Sequence, residues 1–152
     1  MADVVVIGVG NRMRSDDAAG PAVLDRLRAA APAGVELVES MGDVAQILDA
    51  WSGASRVVIV DAVMSGSPPG TVHELDGRSG VPTSWRSPSS HLIGLAEAIE
   101  LGDSLGSLPE EVTVFGIEVE NVAGGTALTA PVEAAVAEVG ETILILVSDD
   151  DA

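Results

Sequence analysis

The sequence predicts an α/β protein with one open, twisted, mostly parallel sheet of about five strands and helices on both faces. Two apolar runs, VVVIGVG (Val4–Gly10) and RVVIVDAV (Arg56–Val63), are continuous rather than alternating, which is typical of strands buried on both faces. The expected elements follow the order β-α-β-α-β-β-α-β-α, as in open α/β sheets. The length of 152 residues suits one domain. We expect this domain over residues 1–148 and an acidic tail over 149–152.

The first half of the chain alternates strands with helices. After the first strand, residues 16–30 carry apolar side chains at helical spacing. Asp16 or Asp17 can cap the N-terminus of this helix, because Asp is a favoured N-cap residue. A second strand is expected over Val35–Glu39 and a short helix over Asp43–Trp51, before the third strand begins.

The second half contains a change of pattern. The segment Thr71–Leu75 alternates apolar and polar residues, which predicts an edge or antiparallel strand. A loop rich in Ser, Gly and Pro follows over Asp76–Ser90, and long loops in compact domains are often functional. The remaining expected elements are a helix over Ser90–Leu105, a strand over Glu111–Glu120 and a C-terminal helix over Thr129–Val147.

The composition excludes several classes of function. Seven Lys+Arg against 24 Asp+Glu give a formal net charge of −17, and all seven basic residues are Arg. Such a surface repels phosphate backbones and anionic membranes, so we expect no nucleic acid partner and no membrane partner. The chain has no Cys and no Lys, which excludes disulfides, thiolate catalysis and a Walker lysine. The N-terminus has no basic region before its short apolar run, so we expect a cytoplasmic protein.

The stretch GVGNRMRSDDAAG (Gly8–Gly20) resembles a nucleotide-binding loop only in part. Gly8 and Gly10 fit the dinucleotide pattern G-x-G-x-x-G, but its third glycine is replaced by Met13. The helix also begins with acidic residues, which oppose a pyrophosphate at a helix N-terminus. We therefore reject nucleotide binding for this stretch.

Acidic residues and one imidazole are expected at a single edge of the sheet. Ligands of open α/β sheets bind outside the carboxyl ends of the strands. The candidate residues there are Asp16, Asp17, Asp61, His91, Glu118 and Glu120. Like charges at close range cannot all stay ionised without a cation. Carboxylate and imidazole ligands suit borderline divalent ions such as nickel or zinc, so a metal site is predicted at this edge.

Each candidate also has a purely structural interpretation. One of the two adjacent aspartates can be a helix cap, and Asp61 can bind loop amides. His91 can be a first-turn residue packed against a loop. His73 lies in the alternating strand and is expected to face solvent in a structural role. Most other acids near this edge are expected to be solvated charges; they are Glu39, Asp43, Glu118 and Glu120.

Taken together, these patterns resemble the hydrogenase maturation proteases, the endopeptidases that trim the C-terminus of the nickel–iron hydrogenase large subunit. The resemblance covers nearly the whole chain and rests on five segments in a fixed order. They are GVGNRMRSDDAAG (Gly8–Gly20), VVIVDAV (Val57–Val63), SSHLIGL (Ser89–Leu95), FGIEVE (Phe115–Glu120) and LTAPVEAAV (Leu128–Val136). The first segment, Gly8–Gly20, contains G-x-G-N and then D-[DE]-x-x-G. It is the most specific of the five, and we call it the first motif.

The resemblance implies a set of site residues and a substrate. The metal-contacting positions of the family fall on Asp17, Asp61 and His91. The implied partner is a large-subunit precursor that already carries nickel, and the nickel is implied to serve in recognition before the cut. Asp16, beside the first of these positions, is our candidate for the general base. The segment ESMGDVAQ (39–46) departs from the glycine-rich loop that many members have there, which leaves the class of hydrogenase open.

Three other functions were weighed. A phosphoacceptor receiver domain also has paired acids and a strand-ending Asp, but it requires a late lysine that this chain lacks. A serine hydrolase using Ser89 or Ser90 would lack the G-x-S-x-G elbow. A non-catalytic metal-binding or carrier protein of hydrogenase assembly stays open, because composition does not separate it from a protease.

Overall fold

A computed structural model describes residues 3–88, 91–120, 122–125 and 127–149, except for the side chains of residues 91, 92 and 149. The strands are β1 (Val4–Val9), β2 (Val35–Ser40), β3 (Arg56–Val63), β4 (Val72–Asp76) and β5 (Glu111–Glu118). The α-helices are α1 (Ala19–Ala30), α2 (Val44–Ala50), α3 (His91–Leu105) and α4 (Ala130–Asp149). Two short 3-10 helices cover Ser15–Ala18 and Gly77–Ser79.

The five strands form one sheet in the order β2-β1-β3-β5-β4. β1 pairs in parallel with β2 and β3, and β3 pairs in parallel with β5. β4 pairs antiparallel with β5 at the edge, as the alternation of its sequence predicts. The predicted fold class is therefore confirmed. The carboxyl ends of β1, β2, β3 and β5 lie along one side of the sheet, which we call the carboxyl edge.

Alternate residues of the central strands bury two separate cores. Val58 and Val60 of β3 face α1 and α4, together with Phe115 of β5. Val57 and Ile59 face α2 and α3 on the opposite side. The continuous apolar runs of β1 and β3 are thus explained by burial on both faces. Within the described part of the chain, no helix is long and apolar enough to cross a membrane.

The helix predicted over residues 16–30 is divided in two. A 3-10 helix covers Ser15–Ala18 and the α-helix begins only at Ala19. The predicted capping role of Asp16 or Asp17 is wrong, since neither helix has a side-chain hydrogen bond at its N-cap.

At the other end of the chain, α4 continues to Asp149, one residue into the predicted tail, and residues 150–152 lie outside the described ranges.

Gly20 allows α1 to contact the sheet directly. A Cβ at this position would lie 2.4 Å from the Val9 carbonyl oxygen and 2.7 Å from the Val60 carbonyl oxygen. Gly20→Ala is therefore expected to lower the free energy of unfolding by about 2–3 kcal/mol through overpacking. The matched control is Gly140→Ala in α4, where a Cβ meets nothing closer than 3.5 Å.

Urea unfolding of both variants measures this contrast. Gly140→Ala should raise the free energy of unfolding by about 0.5–1 kcal/mol, because Ala replaces Gly inside a helix. Equal stabilities of the two variants would contradict the direct packing of α1 on β1 and β3.

Candidate functional site

Asp61 lies near the end of β3 and is fully buried. One of its carboxylate oxygens accepts a hydrogen bond from the backbone N–H of Ala62 at 2.8 Å. Its register partner on β5 is Gly116. The odd-numbered residues of β3 face α2 and α3, so the Asp61 side chain points to the face that α3 covers. A carboxylate at this depth near the carboxyl edge fits the position at which α/β sheets bind ligands.

Asp17 is brought close to β1 by the 3-10 helix that follows this strand. Its side chain is fully buried, and its carbonyl oxygen accepts a hydrogen bond from Asn11 N at 3.2 Å. A Cβ on Gly10, whose φ is +158°, would lie 2.1 Å from the same carbonyl oxygen. Gly10 therefore permits the close approach of the acidic helix to the strand, and this is the physical reason for the glycine in the first motif.

The predicted metal set of Asp17, Asp61 and His91 is described only in part. His91 is the first residue of α3, and its side chain lies outside the described residues. Among the side chains that are described, no group of three or more acidic or histidine residues could bind a metal ion. The predicted site thus stays a prediction that depends on His91.

The segment that precedes α3 is fixed to the site by several contacts. Met64 and Arg86 form an antiparallel bridge, with Met64 N donating to Arg86 O at 2.6 Å and Arg86 N donating to Met64 O at 2.9 Å. Arg14 donates a hydrogen bond from its guanidinium to the Pro88 carbonyl oxygen at 3.3 Å. Residues 86–88 are therefore tied to the loops that follow β1 and β3.

Asp16 has a different environment from its neighbour. Its buried carboxylate accepts hydrogen bonds from Glu120 N at 2.9 Å, from Thr129 N at 2.8 Å and from Thr129 Oγ1 at 2.8 Å. These donors belong to the chain after β5 and to the residue before α4. Asp16 thus connects the first motif to the last strand and the last helix.

A second polar cluster, formed by Ser65, His73 and Glu118, was not foreseen from the sequence. Glu118 is 2% exposed and accepts hydrogen bonds from Ser65 N at 2.9 Å and from Ser65 Oγ, while its Oε1 lies 3.1 Å from His73 Nε2. The expectations that Glu118 is a solvated charge and that His73 faces solvent are both wrong. The pairing of β4 with β5 explains this, because it places His73 and Glu118 on one face of neighbouring strands.

The cluster does not have the geometry of a catalytic triad. Ser65 Oγ, at 3.4 Å, and Glu118 Oε1 both approach the same ring nitrogen of His73. A triad uses the two imidazole nitrogens separately. The ring of Trp85 lies tilted against that of His73, with the two ring centroids 5.4 Å apart, so this cluster supports the loop that leads to α3.

Glu118→Ala is expected to lower the free energy of unfolding by about 1–3 kcal/mol, because it leaves the Ser65 amide without its acceptor in a partly buried position. The matched control is Glu120→Ala two residues later, whose side chain is exposed, as predicted. This control should stay within about 0.5 kcal/mol of the wild type. Chemical denaturation measures both variants, and equal effects would contradict the anchoring role of Glu118.

Most charge near the first motif is neutralised locally. Arg12 donates hydrogen bonds to Asp25 of α1 and to Glu39 of β2, with its NH2 atom 2.9 Å and 2.8 Å from the two carboxylates. These hydrogen bonds lower the pKa of the Asp25 carboxyl. Asp43 is exposed and caps α2 by accepting from Gln46 N at 2.9 Å. The buried acids Asp17 and Asp61 are thus distinct from the solvated charges around them.

Two buried carboxylates that follow neighbouring strands suit cation chemistry. β1 and β3 pair directly, so the loop after β1 and the end of β3 adjoin at the carboxyl edge. Carboxylates in such a position bind a cation favourably, because the cation offsets their mutual repulsion. An imidazole at the start of α3 would complete a mixed oxygen and nitrogen donor set of the kind that borderline divalent ions prefer.

Comparisons with known proteins agree with the fold. The chain is 28% identical over 145 residues to the hydrogenase 2 maturation protease of Escherichia coli, covering 93% of this chain and 88% of that protein. Its fold matches the solved structure of the hydrogenase-maturating endopeptidase HybD of Escherichia coli with a TM-score of 0.85 at 26% identity, covering 99% and 94% of the two chains. It also matches the [NiFe] hydrogenase maturation protease HybD of Thermococcus kodakarensis with a TM-score of 0.74 at 27% identity, covering 96% and 99%.

A family model agrees with these relatives. The model described as hydrogenase maturation protease matches residues 22–145, which is most of the chain. The matched span begins after the first motif, so it adds to the resemblance that this motif carries. By its sequence and its fold, the chain belongs to the hydrogenase maturation protease family.

Proposed function

We propose that this protein is the endopeptidase that removes the C-terminal extension of a nickel-loaded [NiFe] hydrogenase large-subunit precursor. The observation that carries the proposal is the burial of Asp17 and Asp61 after two directly paired strands, in a chain of the maturation protease family. Carboxylates at the carboxyl ends of strands are well placed to contact a metal ion. A precursor that brings its own metal ion would present that ion to them as part of the substrate.

The proposed site residues act together in recognising the substrate. Asp17, Asp61 and His91 would contact the nickel of the precursor and thereby place the scissile peptide at the carboxyl edge. A metal ion can polarise a carbonyl group and lower the pKa of a bound water. The buried position of the two carboxylates fixes them on rigid elements and keeps their negative charge poorly screened.

Asp17 is better placed than Asp16 to act as an accessory acid or base. The carboxylate of Asp16 accepts hydrogen bonds from two backbone amides and one hydroxyl, contacts that hold it in one position and occupy both of its oxygens. A general base must take up a proton during the reaction. We therefore assign Asp16 to anchoring and retain Asp17 for contact with the substrate, where the sequence had suggested Asp16 as the base.

The proposal is tested by intact-mass measurement of a nickel-loaded precursor before and after incubation with the wild-type protein. The expected result is loss of one C-terminal peptide, with the N-terminus of the large subunit unchanged. A cut elsewhere, or no cut by protein that circular dichroism shows to be folded, would overturn it.

The alternative is a non-catalytic carrier of hydrogenase assembly. It is favoured by the same buried acids, since a metal site does not require turnover. The two functions are distinguished by separating this protein from the precursor by gel filtration and measuring the nickel content of each. A carrier would hold nickel after separation and leave the precursor at full length, whereas the protease shortens the precursor.

A further inference from the structure

Three exposed methionines follow three neighbouring strands. Every methionine after Met1 lies in a loop at the carboxyl edge: Met13 follows β1, Met41 follows β2 and Met64 follows β3. Their exposed fractions are 66%, 63% and 41%. Large apolar side chains on a surface are not unusual singly. They follow three strands that are neighbours in the sheet, and we call them the methionine row.

The sheet order arranges the row above the candidate site. β1 lies between β2 and β3, so the row runs Met41, Met13, Met64, with neighbouring strands about 4.8 Å apart. Asp17 lies four residues after Met13, and Asp61 lies three residues before Met64. The methionines and these acids therefore lie in the same two strand-to-loop segments at the carboxyl edge.

The row continues into a groove between the loop 81–87 and α3. The groove has a volume of about 400 Å³ and is lined mainly by apolar side chains, including Val81, Trp85, Ile93 and Ala96. Met64 adjoins it through the backbone bridge to Arg86, which also lines the groove.

The other end of the row adjoins the same groove. A Cβ at Gly94 would lie 1.9 Å from the Gly42 carbonyl oxygen, so the loop containing Met41 rests on the first turn of α3. Ile93, which is 63% exposed, lies in this turn and lines the groove. The loops that carry Met41 and Met64 thus contact the elements that line the groove.

We propose that the methionine row and this groove bind the precursor segment next to the scissile bond, and that the segment is apolar. This inference rests on the proposed function and adds the chemistry of the docking surface. Methionine is flexible and polarizable, and it suits surfaces that must fit an irregular apolar partner. The loop from 39 to 46 carries one end of the row, so a sequence change there alters which precursor fits.

Charge favours a polypeptide over other occupants of the surface. The net charge of −17 opposes nucleic acid and anionic lipid. It also opposes a second copy of this chain, because two such surfaces would bring like charges together. An apolar peptide segment buries the methionines without this repulsion.

The test compares three sets of variants on the nickel-loaded precursor. The first replaces Met13, Met41 and Met64 together by Gln, which has a similar length but is polar. The second replaces the same residues by Leu and keeps them apolar. The third is a remote control that carries Leu105→Gln and Ile145→Gln at exposed positions of α3 and α4. Ile145 is next to Leu146, and the Leu146 carbonyl oxygen accepts a hydrogen bond from Arg56 at the opposite edge of the sheet.

The Gln triple variant should raise KM about tenfold or more with kcat unchanged, equivalent to roughly 1.4 kcal/mol of lost contact. The Leu triple variant and the remote control should keep the wild-type KM. A wild-type KM in the Gln variant would overturn the docking surface while leaving the protease function in place. Failure of the wild type itself to cleave or bind the precursor would overturn both. Sedimentation showing a wild-type dimer that the Gln variant loses would assign the row to self-association instead.

Discussion

Asp61→Asn should reduce the rate of precursor cleavage by roughly three orders of magnitude. The substitution removes the negative charge that is expected to contact the substrate's metal, and a metal ion stabilises the transition state by several kcal/mol. Asn has nearly the same shape and keeps an oxygen that can accept from Ala62 N. The fold should therefore persist. Single-turnover cleavage of nickel-loaded precursor, together with a thermal melt, measures both quantities.

The matched control for this variant is Asp49→Asn, an exposed position on α2. It changes the net charge by the same amount and should leave the cleavage rate unchanged. Cleavage at a near-wild-type rate by folded Asp61→Asn protein would remove Asp61 from the site. An equal loss in both variants would indicate a general effect of charge on precursor association.

Asp16→Asn should destabilise the protein by about 2–4 kcal/mol, since the buried amide presents an NH2 group where the carboxylate accepts from Thr129 and Glu120. The first motif would then lose its connection to α4. The free energy of unfolding in urea measures the effect. Cleavage by the protein that remains folded should fall by less than about tenfold, because anchoring acts only indirectly on the site.

Asp103→Asn, at an exposed position of α3, is the control and should change stability by less than about 0.5 kcal/mol. An Asp16→Asn protein of full stability would contradict the anchoring role. A fully stable variant that had lost more than a hundredfold in kcat would restore Asp16 as the general base.

The fold was predictable because its main signals are local. The strand at Arg56–Val63 has the same bounds in the structure as in the prediction, since its β-branched run and the flanking polar residues lie within one short segment. The antiparallel edge position of β4 followed from its alternation of apolar and polar residues. The order of the strands depends on pairings between distant segments, which periodicity does not specify.

The site was predictable only where a local pattern carries it. An acid near the end of an apolar strand pointed to Asp61, and the first motif pointed to Asp17; the structure buries both, and their role in the site stays a prediction. The roles of Asp16 and Glu118 could not be predicted, because their partners lie far away in sequence: Thr129 is 113 residues from Asp16, and His73 is 45 residues from Glu118. Capping was a reasonable interpretation of Asp16 from its neighbours, but tertiary hydrogen bonds determine its position instead.

The exposed methionines illustrate a signal that was present in the sequence. Each of the three follows a predicted strand within a few residues. Methionine in such a loop contributes nothing to a core, so its position after strand ends could have indicated a binding surface. The groove beside α3 required the structure, because it depends on the packing of the loop 81–87 against the helix.

We propose that the acids at the carboxyl edge, with His91, recognise nickel in the precursor before the cut. The most direct test measures cleavage of nickel-loaded and nickel-free precursor by the wild type and by His91→Ala. Loss of the C-terminal extension only from loaded precursor, and only with the wild type, is the expected result. Equal cleavage of both precursors by the wild type, or nickel-dependent cleavage that survives in His91→Ala, would contradict it.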